Sequence, residues 1–358
     1  MEKKSHSGRL HDAVLGFVVG DALGVPHEFK SREEMDASPA SGMTGYGTHN
    51  QPPGTWSDDT SLMLCLMESL SYGYDLQDLA KRFVRWYREA YWTAHGEVFD
   101  IGISTQKAIE RMEQGNHPTK CGGNSINDNG NGALMRILPL VFYLLKEKNQ
   151  EVRFQKVKEV ASLTHGHAIS HIGCFIYTEL FRFLILHENW QEGIKSLASL
   201  KEFLSDQGFT AEHLSCYESI FDGSFAAKSR DDIRSTGFVA HTLEAALWCV
   251  NQASSCREAI YLAINLGEDT DTTAAVTGSL AAYVYGISSL IEYQWKMARM
   301  EAIFRLSSEF KLSLDWEINK KEIDHFRLKA SASALPQVFE NAEKTFFYVP
   351  YTGSHYIL

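Results

Sequence analysis

An all-α fold is predicted for this 358-residue chain on two observations. Apolar residues recur at three- and four-residue spacing in one segment after another. No stretch alternates apolar and polar residues between turn signals, apart from Phe346–Val349 near the end. The first helix carries Leu10, Ala13, Val14, Phe17 and Val18 on one stripe. Gly16, Gly20 and Gly24 fall every fourth residue, a face that lets another backbone approach closely. Pro26 stops this helix and leaves Glu28 at its exit. Residues 37–55 hold seven Gly or Pro residues and read as a long loop, functional or mobile.

Further helices follow in order. Leu62, Leu66 and Leu70, flanked by Met63 and Met67, mark a buried one, and Leu76, Leu79, Phe83 and Trp86 the next. Phe154, Val157, Val160 and Ala161 begin another, and Ile169, Ile172, Ile176, Leu180 and Phe183 a longer one. Leu243, Ala246, Leu247 and Val250, the runs 257–264 and 274–285, and Ile303, Leu306 and Phe310 complete the set. With no repeat and no low-complexity linker, one domain over residues 8–315 is the simplest division. Residues 316–358, first charged and then aromatic, form a C-terminal extension.

Composition narrows the class. The chain is 44% hydrophobic and 22% charged, as globular proteins are. A net charge of −11 disfavours nucleic-acid and anionic-membrane partners, which need a basic surface. Six scattered cysteines with no Cys-x-x-Cys pair fit reduced thiols, so a cytoplasmic protein is expected. The apolar window Leu10–Pro26 is broken by His11, Asp12 and Asp21, which argues against a signal peptide or membrane span.

Two acidic clusters carry the chemistry. Asn265–Thr273 supplies Asp269, Asp271 and Thr272 at the start of a small-residue helix, and Trp56–Thr60 supplies Ser57, Asp58 and Asp59 before another. Such residues cap helices, and two independent caps are the simpler account of each cluster alone. If they converge, the carboxylates repel unless hard divalent cations such as Mg2+, Mn2+ or Ca2+ bridge them. Glu28 is either a surface residue or a third acid. Asp100, flanked by apolar residues, is either a partly buried acid–base group or, the simpler reading, the N-cap of a helix containing Thr105, Ala108 and Ile109. The Gly/Asn-rich stretch 122–136 is either a plain turn or an anion cradle with Arg136 as helper; it lacks P-loop spacing. His165, His167 and His171 fit packed histidines better than a zinc site. Phe238 is a core residue by default, or an exposed stacking platform.

Taken in order, these segments form a set: Gly16–Phe29 (Gly-x3-Gly-Asp-Ala-Leu-Gly-x3-Glu-Phe), Gly54–Thr60, Phe99–Gly102, Gly130–Arg136, Thr164-His165, Gly237–Leu243 and Gly267–Thr272. The set resembles the ADP-ribosylglycohydrolase family over roughly residues 8–290. That resemblance implies a compact orthogonal helical bundle with a dinuclear metal cleft. It implies two divalent cations, Mg2+ or Mn2+, ligated by Ser57, Asp58, Asp59, Asp269, Asp271 and Thr272. Glu28 and Asp100 would be the catalytic acids, either one the general base. Gly130, Asn131, Gly132, Ala133, Leu134 and Met135 would cradle the diphosphate, with His165 on the ribose side and Phe238 beside the ligand. One departure is Glu268, where the family usually has Gly; it would either alter metal choice or point outward.

The function this implies is metal-dependent removal of ADP-ribose from a protein side chain, first of all arginine, by a monomer acting on ADP-ribosylated protein. The alternatives are another ADP-ribosyl linkage (serine, nucleic acid or a free metabolite) and a non-catalytic ADP-ribose binder.

Overall fold

The computed structural model describes residues 9–314 and three short strands beyond them. Sixteen α-helices are present among the described residues, besides short 3-10 turns. The first half contains α1 (Arg9–Gly24), α2 (Arg32–Ala37), α3 (Asp58–Tyr72), α4 (Leu76–Glu89), α5 (Ile103–Glu113), α6 (Leu138–Tyr143), α7 (Gln150–Ser162) and α8 (Ala168–His187). The second contains α9 (Trp190–Asp206), α10 (Ala211–Ser215), α11 (Glu218–Phe221), α12 (Val239–Gln252), α13 (Cys256–Ile264), α14 (Thr270–Tyr285), α15 (Ile291–Gln294) and α16 (Met300–Leu314). Strands β1 (Phe339–Asn341), β2 (Lys344–Tyr348) and β3 (His355–Ile357) pair antiparallel in sequence order. The strand expected around Phe346 therefore lies within β2; the rest of the extension is outside the described residues.

Helix ends follow local chemistry. Asp75 caps α4 by accepting from the N–H groups of Gln77 and Asp78, Asn149 caps α7 in the same way, and Ser255 caps α13. The α9 helix is absent from the sequence reading, although Ile194, Leu197, Leu200 and Leu204 are buried at helical spacing. α8 is long and apolar enough to cross a membrane by length and composition, but 78% of its most apolar window is buried within the protein.

At the centre α1 lies against α14. Every residue of α1 after Arg9 is buried, as is every residue of α14 before Val284. The glycine stripe makes this contact: a β-carbon on Gly16 would sit 2.2 Å from the Gly278 carbonyl oxygen, and one on Gly24 would sit 2.4 Å from the Asp271 Cα. α12 and α13 pack on α14, α3 lies between α16 and α4, and α7 and α9 flank α8. The N-termini of α3 and α14 are thereby brought together at the end of α1.

Candidate active site

Asp21, buried near the end of α1, sets the first cluster. Its carboxylate accepts from the Ser57 N–H at 2.9 Å, from the Thr60 N–H at 3.1 Å and from the Thr60 hydroxyl at 2.6 Å, which anchors the first turn of α3. Ser57 is itself the N-cap, accepting from the Asp59 N–H. Capping is thus correct for Ser57, while Asp58 and Asp59 are left to face the interior at the positive end of the helix. Asp21 has no role in the sequence reading. The signal was there: a carboxylate inside an apolar helix, one residue from a packed glycine.

The second cluster is no set of caps. Asp269 precedes α14 but makes no side-chain capping bond. Its Oδ2 accepts from the Asn131 side chain at 2.8 Å, while the Thr270 hydroxyl ties this turn to the Gly24 carbonyl at 2.9 Å. Thr272 donates to Asp59 Oδ1 at 3.2 Å, joining the two clusters directly. Carboxylate oxygens of Glu28, Asp269 and Asp271 all lie within 4.8 Å of one another. The convergence left open by the sequence is therefore present.

Asp100 is likewise not the cap of α5, contrary to the simpler reading. Gly102 occupies that position without a side-chain bond, while Asp100 adopts a left-handed backbone (φ 61°) and turns to the acids. A non-glycine residue held there stores strain of the kind found at functional sites. Between Asp100 and Glu28 stands His49, which the sequence did not single out. Its Nε2 is 2.5 Å from Glu28 Oε2 and 3.7 Å from Asp100 Oδ1. The loop carrying it is pinned by the Thr48 hydroxyl, which donates to the Glu28 carbonyl at 2.6 Å. Phe29 and Phe99 flank the imidazole, with ring centroids 6.0 and 5.2 Å away.

Electrostatically the site crowds buried acids, and burial together with their mutual repulsion disfavours the charged forms. Burial, then Asp271 and Asp269, push the Glu28 carboxyl up to about 10; burial, then Asp58 and Glu28, do the same for Asp100. Asp58, Asp59 and Asp271 are raised well above the ordinary range by burial and then by their acidic neighbours, and Asp269 is raised mainly by burial. Asp21 reaches only about 6, because its bonds to Thr60 and Ser57 oppose the effect of burial. Among the described buried atoms, Asp59 Oδ2, Asp269 Oδ1 and both Asp271 oxygens have no hydrogen-bond partner. Buried carboxylate oxygens without donors are costly. An oxygen-only donor set of this charge fits a hard divalent cation.

The stretch expected to cradle a diphosphate forms a tight turn beside the acids. Gly130 pairs with Phe238 in an antiparallel bridge, and residues Asn131–Arg136 form a 3-10 helix. Asn131 spends its N–H on the Gly237 carbonyl and its side chain on Thr242 and Asp269, so it serves the acids. Gly132 and Ala133 are buried in the first turn, and the Leu134 and Met135 side chains belong to the core. Arg136 does not help from the front. It is fully buried behind the turn, donating to the carbonyls of Gly132 and Val160, with its guanidinium 5.1 Å from the Phe83 ring centre.

His165 is buried against this turn, where a β-carbon on Gly132 would lie 2.8 Å from its Cε1. Burial and then Arg136 lower its pKa to about 3 and keep the ring neutral. His171 bonds Ser162 and His167 caps α8, so the three histidines do not converge. Phe238 is half-buried at the start of α12 beside His241. Glu268 is exposed and also left-handed (φ 60°). Its backbone pairs with the strip after Glu28: Phe29 N–H donates to its carbonyl at 2.6 Å, and its own N–H donates to Lys30 at 2.7 Å. The side chain points outward.

Comparison with known proteins agrees with this arrangement. The ADP-ribosylglycohydrolase family model matches residues 2–316. The chain is 33% identical over 302 residues to ADP-ribosylarginine hydrolase Tri1 of Serratia proteamaculans, covering 83% of this chain and 77% of that protein. It is 26% identical over 283 residues to the ADP-ribosyl-[dinitrogen reductase] glycohydrolase of Rhodospirillum rubrum, covering 78% and 86%. A solved structure, the ADP-ribosylglycohydrolase-related protein complex, superposes with a TM-score of 0.70 at 30% identity, covering 87% of this chain and 98% of the other. The chain belongs to the ADP-ribosylglycohydrolase family and is a hydrolase of an ADP-ribosyl linkage.

Proposed function

We propose that the protein hydrolyses the N-glycosidic bond of ADP-ribosyl-arginine in a modified protein, reversing mono-ADP-ribosylation. The observation that carries this reading is the meeting of Asp58, Asp59, Asp269 and Asp271 with Glu28 and Asp100, several of their oxygens buried without donors. The named activity of the Serratia relative supports arginine as the linkage. Two divalent cations, Mg2+ or Mn2+, would be held by Ser57, Asp58, Asp59, Asp269, Asp271 and Thr272. When bound, they would neutralise the carboxylates and supply Lewis-acid chemistry to substrate and water oxygens.

The protein's own groups then divide the work. The turn at Gly130–Ala133 receives the diphosphate, Phe238 lies beside the ligand, and neutral His165 backs the turn. Glu28, held by His49, orients the water. Asp100, the more accessible acid, takes its proton as the anomeric carbon gains oxocarbenium character. The departing guanidine recovers that proton, so water is added across the bond with no net change in protons.

The test is release of free ADP-ribose from ADP-ribosyl-arginine protein, with and without a chelator. Release is expected to disappear on chelation and in Asp269→Asn. Equal activity of the intact and chelated protein would sink the metal mechanism, and release from serine alone would replace arginine as the substrate.

A further inference from the structure

Four of the large apolar side chains exposed to solvent sit on the loops and helix starts that deliver the site. Phe29 is 69% exposed, Tyr46 58%, Ile103 72% and Ile126 62%. Phe29 follows Glu28, Tyr46 stands three residues before His49, Ile103 three after Asp100, and Ile126 four before Gly130.

Contacts join the segments that carry them in two groups, Phe29 with the His49 loop that bears Tyr46, and the start of α5 with the strip that bears Ile126. Phe29 meets His49, which meets Phe99 next to Asp100. The Ser104 hydroxyl beside Ile103 donates to Asp128 at 3.3 Å, and the Asn129 side chain donates to the Ile126 carbonyl at 2.9 Å. Fold stability does not account for the rim. Phe29 and Tyr46 are exposed and also held in left-handed backbone conformations, φ 64° and 58°. The backbone conformation costs free energy, and the exposed side chain returns none by packing.

The order of contacts says what covers the rim. From Phe238 the site runs through the Gly130 turn and Asn131 to Asp269 and Asp271, and then to Glu28, Asp100 and Phe29. A ligand with its diphosphate at the turn and its ribose at the acids has its leaving group at Phe29 and Asp100. On the proposed function that group is a side chain still joined to a polypeptide, so the residues flanking it must cross this rim.

We propose that Phe29, Tyr46, Ile103 and Ile126 form a docking rim for the polypeptide flanking the modified arginine, making the enzyme selective for protein over free ADP-ribosyl-arginine. This rests on the arginine reading above. Covering these side chains with polypeptide removes apolar area from water, which favours the substrate that carries it.

The experiment compares kcat/KM on an ADP-ribosyl-arginine protein with that on free ADP-ribosyl-arginine, for the wild type, Ile103→Ser/Ile126→Ser and Tyr46→Ser. Expected is a fall of ~10-fold or more on the protein for the double variant, through KM, with the free conjugate unchanged. Tyr46→Ser should shift the ratio in the same direction. Equal loss on both substrates, or no loss on either, overturns the rim and leaves the arginine reading standing. No release by the wild type from either conjugate overturns both. Conversion of a wild-type dimer to a monomer by the double variant, with the substrate ratio unchanged, would make the rim a self-interface and also overturn the proposal.

Discussion

A β-carbon on Gly20 would lie 2.1 Å from the carbonyl oxygen of Ala274, so α1 and α14 meet backbone to backbone. That contact places Asp21, which anchors the first cluster, one residue from the point where α1 touches α14, the helix whose first turn carries Asp271 and Thr272. Gly20→Leu cannot be absorbed by a side-chain shift, since the opposing atoms are backbone. It should lower unfolding stability by ~3 kcal/mol or more, read by urea denaturation. Gly102→Ala, whose β-carbon would meet nothing nearer than 4.0 Å, is the matched control and should change little.

Asp21 anchors the proposed metal ligands and stands outside that proposed set. It accepts three hydrogen bonds from Ser57 and Thr60. Asp21→Asn would turn an amide donor toward those donors and release the start of α3. Metal affinity, measured by calorimetric titration of Mn2+, should fall about 10–100-fold while the far-UV spectrum is retained. Unchanged affinity would show that α3 holds its own position.

How much of this was readable in the sequence depends on the range of each signal. Helices such as α3 and α8 were legible because their apolar periodicity is local, and both acidic clusters because their members are adjacent. Convergence was not legible from residues alone. Thr272 and Asp59 are 213 residues apart and meet only because a glycine stripe lets α1 and α14 touch. The resemblance to a family supplied that pairing. His49 had no signal of its own, since a loop without periodicity gives no direction to its side chains. On residues alone Asp100 reads as a cap, because its left-handed backbone, which turns it away from α5, cannot be seen in residue order; the resemblance makes it a catalytic acid.

The raised carboxyl groups make the metal-free protein sensitive to alkali. Their folded pKa values, about 10 for Glu28 and Asp100, lie above the ~4 of an unfolded carboxylate. The folded state therefore binds more protons, so this contribution is complete below about pH 4 and is lost as pH rises through the folded values. In chelator the Tm should fall steadily from pH 5 to pH 9. Saturating Mn2+ or Mg2+ should raise the Tm most at the alkaline end, because cations compete with those protons. A metal-free Tm that rises over that interval would contradict the carboxylate assignment.

His49 touches both acids assigned to the water, and its exchange separates holding from binding. The imidazole Nε2 lies 2.5 Å from Glu28 and 3.7 Å from Asp100, and the loop bearing it is fixed by Thr48. His49→Ala removes the group that orients Glu28 but leaves the Gly130 turn and Phe238 intact. The expected result is a kcat lower by ~10–100-fold with KM for the ADP-ribosyl conjugate within about threefold, a loss confined to the transition state. His49→Gln, which can still donate to Glu28, should recover part of kcat. A rise in KM at constant kcat would instead place His49 in substrate binding.

Glu268 separates two readings of the family departure. Its side chain is exposed and its backbone is left-handed, the conformation glycine adopts without strain. An outward carboxylate does not ligate, so Glu268→Gly should leave the Mn2+ to Mg2+ affinity ratio unchanged. Relief of the backbone strain should raise unfolding stability by ~1 kcal/mol, offset in part by the greater freedom of glycine in the unfolded chain. The paired bonds of residue 268 with Phe29 and Lys30 are backbone bonds and survive the exchange. A changed metal preference would instead bring the Glu268 carboxylate into the ion site.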